Sequence, residues 1–301
     1  MTFRSSSVSK VAAFGSSAVL AGVLAGVVAA SPALAATGAG APAGAAFLDS
    51  TGTWAPAATA TIHPGVMTET NGSQCTANFV YTAAGKTFLG QAAHCSGTGE
   101  ATETNGCSAQ SLPLGTPVSI LGSNVVGHMV YNSWIAMQHS GEKDPDACAN
   151  NDLALIELPA DALAKVNPSV PVFGGPVGVN TTGTASGDRV LSYGNSSLRQ
   201  GISTFSPKTG TSFGDQGNGW THTVYTVTPG IPGDSGSAFL DSNGNALGDL
   251  STLAFAPAPL SNQVSDLAHE LAWARTHDKA LSDLRAVAGT EPFLPGALPL
   301  G

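Results

Sequence analysis

Three short segments hold residue types able to run nucleophilic chemistry. The first is Gly233-Asp234-Ser235-Gly236-Ser237. A serine hydroxyl is a weak nucleophile at neutral pH. It needs a base within hydrogen-bond reach and donors aimed at the oxyanion that its attack creates. Glycines on either side let the backbone turn tightly and point N–H groups into a cleft. Alone, such a pentapeptide also makes ordinary turns. The second segment, Gln91-Ala92-Ala93-His94-Cys95, sets a histidine beside a cysteine at the end of an apolar stretch. A disulfide there would fix the backbone that carries the imidazole. The third is Asn151-Asp152, at the head of the apolar run 153–158. An acid at such a strand edge can be held partly buried, orient a neutral histidine and stabilise its charged form. Each has a bland alternative: His94 as a core or surface histidine, Asp152 as a turn residue with Asp144 and Asp146 equally available.

The three residues follow the chain order His, Asp, Ser. Their surroundings are Cys75-Thr76-Ala77, Ala92-Ala93-His94-Cys95, Asn151-Asp152-Leu153-Ala154-Leu155 and Gly233-Asp234-Ser235-Gly236. These islands resemble the chymotrypsin-like serine peptidases, the bacterial secreted members in particular. The likeness covers residues 60–280 in organisation and is specific in the islands. It implies an all-β fold of two packed antiparallel β-barrels with a C-terminal α-helix. It also implies a serine endopeptidase that works through an acyl-enzyme, with protein or peptide substrates and a monomeric chain. In that reading Ser235 attacks, His94 moves the proton, Asp152 holds the His94 tautomer, and the N–H groups of Gly233 and Ser235 form the oxyanion hole. The resemblance further implies a Cys75–Cys95 disulfide, which leaves Cys107 with Cys148. No metal or organic cofactor is called for.

The chain departs from the family in three places, of which one, Gln91 for the usual Thr or Ser and Ala238 where Pro is common, carries no chemistry. No freed Ile-Val-Gly-Gly-like N-terminus precedes Cys75, so Asp234 needs another cation, with Arg189 and Arg199 as candidates. Where relatives that cut after Lys or Arg carry an acid, Pro229 stands, and the wall Ser251-Thr252-Leu253 ends on leucine where deep pockets have glycine. A pocket of Pro229, Ser251 and Leu253 is expected to take a small or medium apolar residue rather than Lys or Arg. The main rival is a catalytically silent secreted binding module on the same fold. An α/β-hydrolase esterase is opposed by Ser237, where that elbow has glycine. His269 and His277, both beyond Ser235, fall on a predicted helix.

The elements that must position these residues read as short strands. Arg4 and Lys10, an apolar run over residues 18–30 and Ala33-Leu34-Ala35 give residues 1–35 the form of a cleaved export signal, so the mature chain is expected to be secreted and extracellular. That segment holds two of the 11 basic residues and none of the 20 acidic ones, which leaves the mature chain at −11. So acidic a chain, without a Lys/Arg cluster, is a poor partner for nucleic acid or anionic membranes. Cys75, Cys95, Cys107 and Cys148 all follow the signal, and an even count in an exported chain favours disulfides, with three pairings open. A zinc site would want closely spaced pairs, and the chain has no C-x2-C.

Residues 36–59 read as a flexible start, 60–165 as an N-terminal barrel, 166–262 as a C-terminal barrel, 263–288 as helical and 289–301 as a tail. Strands are expected over 78–82, 118–121, 153–158, 190–193 and 223–227, with a hairpin turn at 241–245. A helix is expected over 265–277, with Leu267, Leu271 and Ala274 on one face and Ser265 and Asp266 as caps. A second helix is expected over 280–287, and the tail beyond Thr290 reads as a disordered end or a surface strap.

Overall fold

The computed structural model describes residues 47–100, 103–254 and 259–296. The export-signal segment, residues 36–46 and residues 297–301 lie outside the described residues. The first half of the chain supplies β1 (Leu48–Asp49), β2 (Met67–Thr70), β3 (Ser73–Thr76), β4 (Val80–Ala83), β5 (Lys86–Ala92), β6 (Pro117–Ile120), β7 (Val125–Asn132) and β8 (Leu153–Glu157). The second half supplies β9 (Gly178–Val179), β10 (Ser186–Tyr193), β11 (Pro207–Gln216), β12 (Thr221–Thr226), β13 (Ala238–Asp241), β14 (Asn245–Ala254) and β15 (Ser261–Asp266). A last strand, β16 (Arg285–Val287), returns to the first sheet between β1 and β4.

That first sheet is nine-stranded, in the order β1-β16-β4-β5-β8-β7-β6-β2-β3. Burial follows position in it. β8 is apolar on both faces (Leu153 to Ile156 are all buried) because it lies between β5 and β7, with side chains packed above and below. β7 instead alternates buried and exposed along its first half, the period of a strand with one wet face. The second sheet runs β13-β10-β11-β12-β15-β14, and β14 also pairs with β13, which closes a six-stranded antiparallel barrel. Closure leaves these six strands no unpaired edge. Val190, Val224, Phe239, Leu250 and Val264 fill this barrel, while Ile62, Leu89 and Ile120 belong to a cluster of the first sheet. One larger cluster joins the two halves, with Phe79 and Leu155 from the first and Leu191 and Leu240 from the second.

Three helices flank the sheets. The C-terminal one, α3 (Leu267–His277), starts at Asp266, whose carboxylate accepts the His269 N–H and so satisfies an otherwise unpaired first-turn donor. The sequence reading contained neither α1 (Ser133–Ser140) nor α2 (Pro145–Asn150). Both have local caps: Asn132 Oδ1 accepts from Trp134 and Ile135, and Asp144 accepts from Asp146, with Pro145 opening α2. The helix expected over 280–287 does not form. A short turn at Lys279–Leu281 leads into β16, whose Ala286 and Val287 are buried against β4 and β1. Tertiary pairing overrides local propensity there. The start at 36–59 is likewise structured from Phe47 onward, because β1 pairs with β16 and the Ala55 N–H donates to Val166. At the other end residues 290–294 are a strap, tied by Thr290 and Glu291 to the Ser169 hydroxyl and by Leu294 to the Phe173 carbonyl. Among the described residues, no helix is long and apolar enough to cross a membrane.

Candidate active site

His94 lies in the tight turn Ala93–Ser96 that ends β5. A disulfide from Cys95 to Cys75 ties this turn to β3, and a second joins Cys107 to Cys148. His94, Cys75 and Cys95 cluster three metal-type donors, but both sulfurs are spent in the disulfide and offer no thiolate. Asp152 caps the same corner from the head of β8. Its Oδ1 accepts the His94 backbone N–H at 2.9 Å, and its Oδ2 accepts from His94 Nδ1 at 2.7 Å and from the Ser251 hydroxyl at 2.6 Å. Asp152 is buried, whereas 26% of the His94 side chain stays exposed. Burial alone would depress the imidazole pKa. The charge and hydrogen bond of Asp152 outweigh it, so His94 titrates above its ordinary 6.5. The bond to Nδ1 also fixes the ring, and among the described residues Nε2 has no hydrogen-bond partner.

Ser235 sits on the turn between β12 and β13 and lines the same cleft as His94, a space of about 580 Å³ between the two sheets. Among the described residues no hydrogen bond joins its hydroxyl to His94; in free enzymes such bonds are often long and tighten with substrate. Its backbone is held firmly, since the Ser235 carbonyl accepts from Thr76 and the Gly236 N–H donates to Leu250. Gly236 (φ +82°) could carry no side chain, because a Cβ would stand 2.7 Å from the Thr76 oxygen and the Ala92 nitrogen. Gly233 (φ +94°) has its carbonyl held by bonds from the Thr76 hydroxyl (2.8 Å) and Gln74 Nε2 (3.0 Å). The N–H groups of Asp234, Gly236 and Ser237 are all taken by backbone acceptors, and those of Gly233 and Ser235 have no acceptor among the described residues. Two free N–H donors flanking a serine hydroxyl suit a developing negative charge.

The turn is anchored from beneath by a fully buried carboxylate. Asp234 Oδ2 meets Arg199 Nη2 at 2.5 Å and Lys208 Nζ at 3.1 Å. Arg199 is therefore the cation beside Asp234, and Arg189 lies exposed on β10. Lys208 went unforeseen; Pro207-Lys208-Thr209 carries no sign that a lysine turns inward. Burial lowers the Lys208 pKa, Asp234 opposes the shift and the Arg199 charge adds to it.

Ser251 and Leu253 line the cleft, with Leu250, Thr252, Asn262 and residues 230–232. Pro229 does not. Its carbonyl accepts from Arg199 at 3.2 Å and from Lys208 at 3.5 Å, so this residue belongs to the cation site behind the turn. Asn262, missed by the sequence reading, is fully buried and spends its amide on Gly230 (N–H at 2.8 Å, carbonyl at 3.3 Å) and on the Thr252 carbonyl. Trp134 stands over the other flank, its ring 6.5 Å from that of His94. Among the residues that line the cleft, Glu100 and Glu103 alone carry a formal charge at neutral pH, and both are exposed.

No protein-family model and no curated protein sequence matches the chain. Among solved structures it is similar to Thermobifida fusca protease A, at 15% identity over 76% of this chain and 99% of that one, with a TM-score of 0.46. It is similar to the Nocardiopsis protease NAPase at 16% identity, over 75% and 98% of the two chains, with a TM-score of 0.43. A glutamic acid-specific serine protease that uses a histidine triad in substrate binding matches at 18% identity, over 70% and 97%, with a TM-score of 0.44.

Proposed function

We propose that the chain is a secreted serine endopeptidase of the chymotrypsin-like class, with its two halves as the two barrels and its catalytic groups at their junction. The observation that carries this is a single cleft lined by an imidazole bonded on one nitrogen only, a serine hydroxyl and two N–H groups without a protein acceptor. Ser235 Oγ attacks the scissile carbonyl as His94 Nε2 takes its proton. Asp152, already bonded to Nδ1, stabilises the imidazolium, and the carbonyl oxygen becomes an oxyanion between the N–H groups of Gly233 and Ser235. His94 then returns the proton to the departing amine, and water repeats the sequence on the acyl-Ser235 ester. Ser251 and its bond to Asp152 keep the acid in register with the ring.

The residue before the cleaved bond is small or medium and apolar. Leu250, Ile231, Pro232 and Leu253 offer it hydrocarbon, and the buried amide of Asn262 is already spent on the backbone. A Lys or Arg side chain would find no carboxylate among these residues, and the two that line the cleft elsewhere, Glu100 and Glu103, are exposed. The disulfides and the export-type segment support an extracellular setting. The test is digestion of a peptide library that varies this position, with mature protein and Ser235→Ala in parallel. Cleavage after Ala, Val or Leu by the first and none by the second is the expected result. Equal cleavage after Phe, Lys and Ala would overturn the specificity. No cleavage of any peptide would favour a binding module.

A further inference from the structure

Asp152 uses its carboxylate on His94 and Ser251, and its backbone N–H on a group that the reaction itself does not need. That group is Glu270 on α3, whose Oε1 accepts the N–H at 2.9 Å. Glu270 shares a helix face with Leu267, Leu271 and Ala274, all buried, so the packing that docks the helix carries a carboxyl inward with it. There it meets a second one, Asp249 on β14. Both residues are fully buried, at 0% exposure. Among the described residues Glu270 Oε2 and both oxygens of Asp249 have no donor partner, and each carboxyl acts on the charge of the other. Two carboxylates cannot both stay charged there: with no hydrogen between them they repel, and neither charge is solvated. One proton converts the repulsion into a charge-assisted O–H···O bond.

We propose that Glu270 and Asp249 share a proton, and that as an acid–carboxylate pair they are positioning residues that hold Asp152 in place against His94. The assignment rests on the reading of Ser235 as a nucleophile worked by His94. The groups that act on the pair from the surrounding strands are Asp152 on β8, Asp266 on β15, and the phenols of Tyr81 on β4 and Tyr131 on β7. Burial pushes Glu270 up to about 8, against the hydrogen bonds from Asp152 and Asp249 and with the charges of Asp152 and Asp266. Burial, then Glu270 and Asp152, raise Asp249 well above the carboxylate range. The pair thus holds at least one proton at neutral pH. When the shared proton leaves, the two charges separate, Glu270 is driven off the Asp152 N–H, and the bond from Asp152 to His94 loosens.

The experiment measures the rate at which a phosphonyl fluoride labels Ser235 between about pH 6 and about pH 10, in wild type, Glu270→Gln and Asp249→Asn. Each amide carries a permanent hydrogen for the bond within the pair. The wild-type rate should fall about tenfold per pH unit where the pair gives up its last proton on the alkaline side, and both variants should stay flat there. The same fall in all three proteins, or none in wild type, would overturn the proposal. Should wild type not react at any pH, the reading of Ser235 has failed, and the pair is then judged by thermal unfolding. A pKa raised on folding stabilises below the unfolded value and loses that stability as pH climbs to the folded one. The wild-type melting temperature should therefore drop relative to Glu270→Gln between about pH 4.5 and about pH 8. Parallel curves would overturn the shared proton on their own.

Discussion

Among the described residues three histidines are bonded to aspartate, and two of them, His222 and His94, are built for opposite ends. His222, on β12, is fully buried and clamped on both ring nitrogens, Nδ1 to Asp215 at 2.7 Å and Nε2 to Asp266 at 3.0 Å. Burial works against its charge, but hydrogen bonds and charge from Asp266 and Asp215 prevail and raise its pKa. With an acceptor on each nitrogen it is held as the cation, which suits it to tying β12 and β15 together. His94 has a carboxylate on Nδ1 alone; Nε2 looks into a cleft that Ser235 also lines. The second bond is the difference. A doubly clamped imidazole has nowhere to send its proton, whereas a singly clamped one can take a proton and give it back.

Breaking the open side of His94 should have the largest effect. Ser235→Ala removes the group that Nε2 would serve, and peptide hydrolysis should fall by about 10⁶-fold with the unfolding transition unchanged. Next comes Asp152→Asn, which keeps the shape but presents an amide to Nδ1 and favours the wrong tautomer. Its kcat should drop by about 10⁴-fold. The acid limb of the rate profile tests the same contact with a sign. His94 titrates above 6.5 because Asp152 overcomes burial, so activity should fail, as pH is lowered, at a midpoint above 6.5. In Asp152→Asn burial is left unopposed, and the midpoint should move down.

The anchoring cations come third. Arg199→Met leaves both Asp234 and the Pro229 carbonyl with Lys208 as their one cation. Breaking a buried pair from one side costs about 3–5 kcal/mol, to be read by urea unfolding, and Ser235 labelling should slow because the Gly233–Ser235 turn loosens. Lys208→Met should cost less, since the lysine pays a full burial penalty that its removal relieves. The smallest effect on rate should come from the other histidine. In His222→Gln, Ser235 labelling at neutral pH should change by less than about twofold, as expected of sites that share no partner. Its stability should change instead. A histidine with a raised pKa stabilises fully below about 6.5 and loses that contribution as pH rises through the folded value. Wild type should therefore lose more melting temperature than His222→Gln above that pH.

The candidate site was legible in the sequence where its chemistry is local. Ser235 is readable because tight-turn glycines must flank it. His94 and Asp152 are readable because a cysteine and an apolar strand sit directly beside them. Residues whose meaning lies in distant partners were not readable. Lys208 looks like any strand lysine until Asp234 is brought beneath it, and Pro229 was placed by counting along the chain when its carbonyl belongs to the cations. Glu270 did leave a mark, as a carboxyl on the apolar face of Leu267, Leu271 and Ala274. The same division holds in the fold. The hairpin of β13 and β14 turns where Asp241 to Asn245 indicated, with Asp241 Oδ1 accepting the N–H groups of Asn243 and Asn245. β16 takes its partners from residues 48–49 and 81–82, a separation of some 200 residues that no local pattern encodes. α1 was missed because its apolar residues, Trp134 to Met137, run consecutively and mark no helical face, and its start depends on one side chain, Asn132.

The most direct test of the central claim is whether Ser235 is an activated nucleophile in the folded protein. Mature protein, its denatured form and Asp152→Asn would each be treated with a phosphonyl fluoride, and the adduct located by mass spectrometry. The site built by His94, Asp152 and the two free N–H groups predicts rapid modification of Ser235 alone in the folded wild type, slow modification in Asp152→Asn and none after denaturation. An unmodified Ser235 in folded protein, or modification spread equally over other serines, would contradict it.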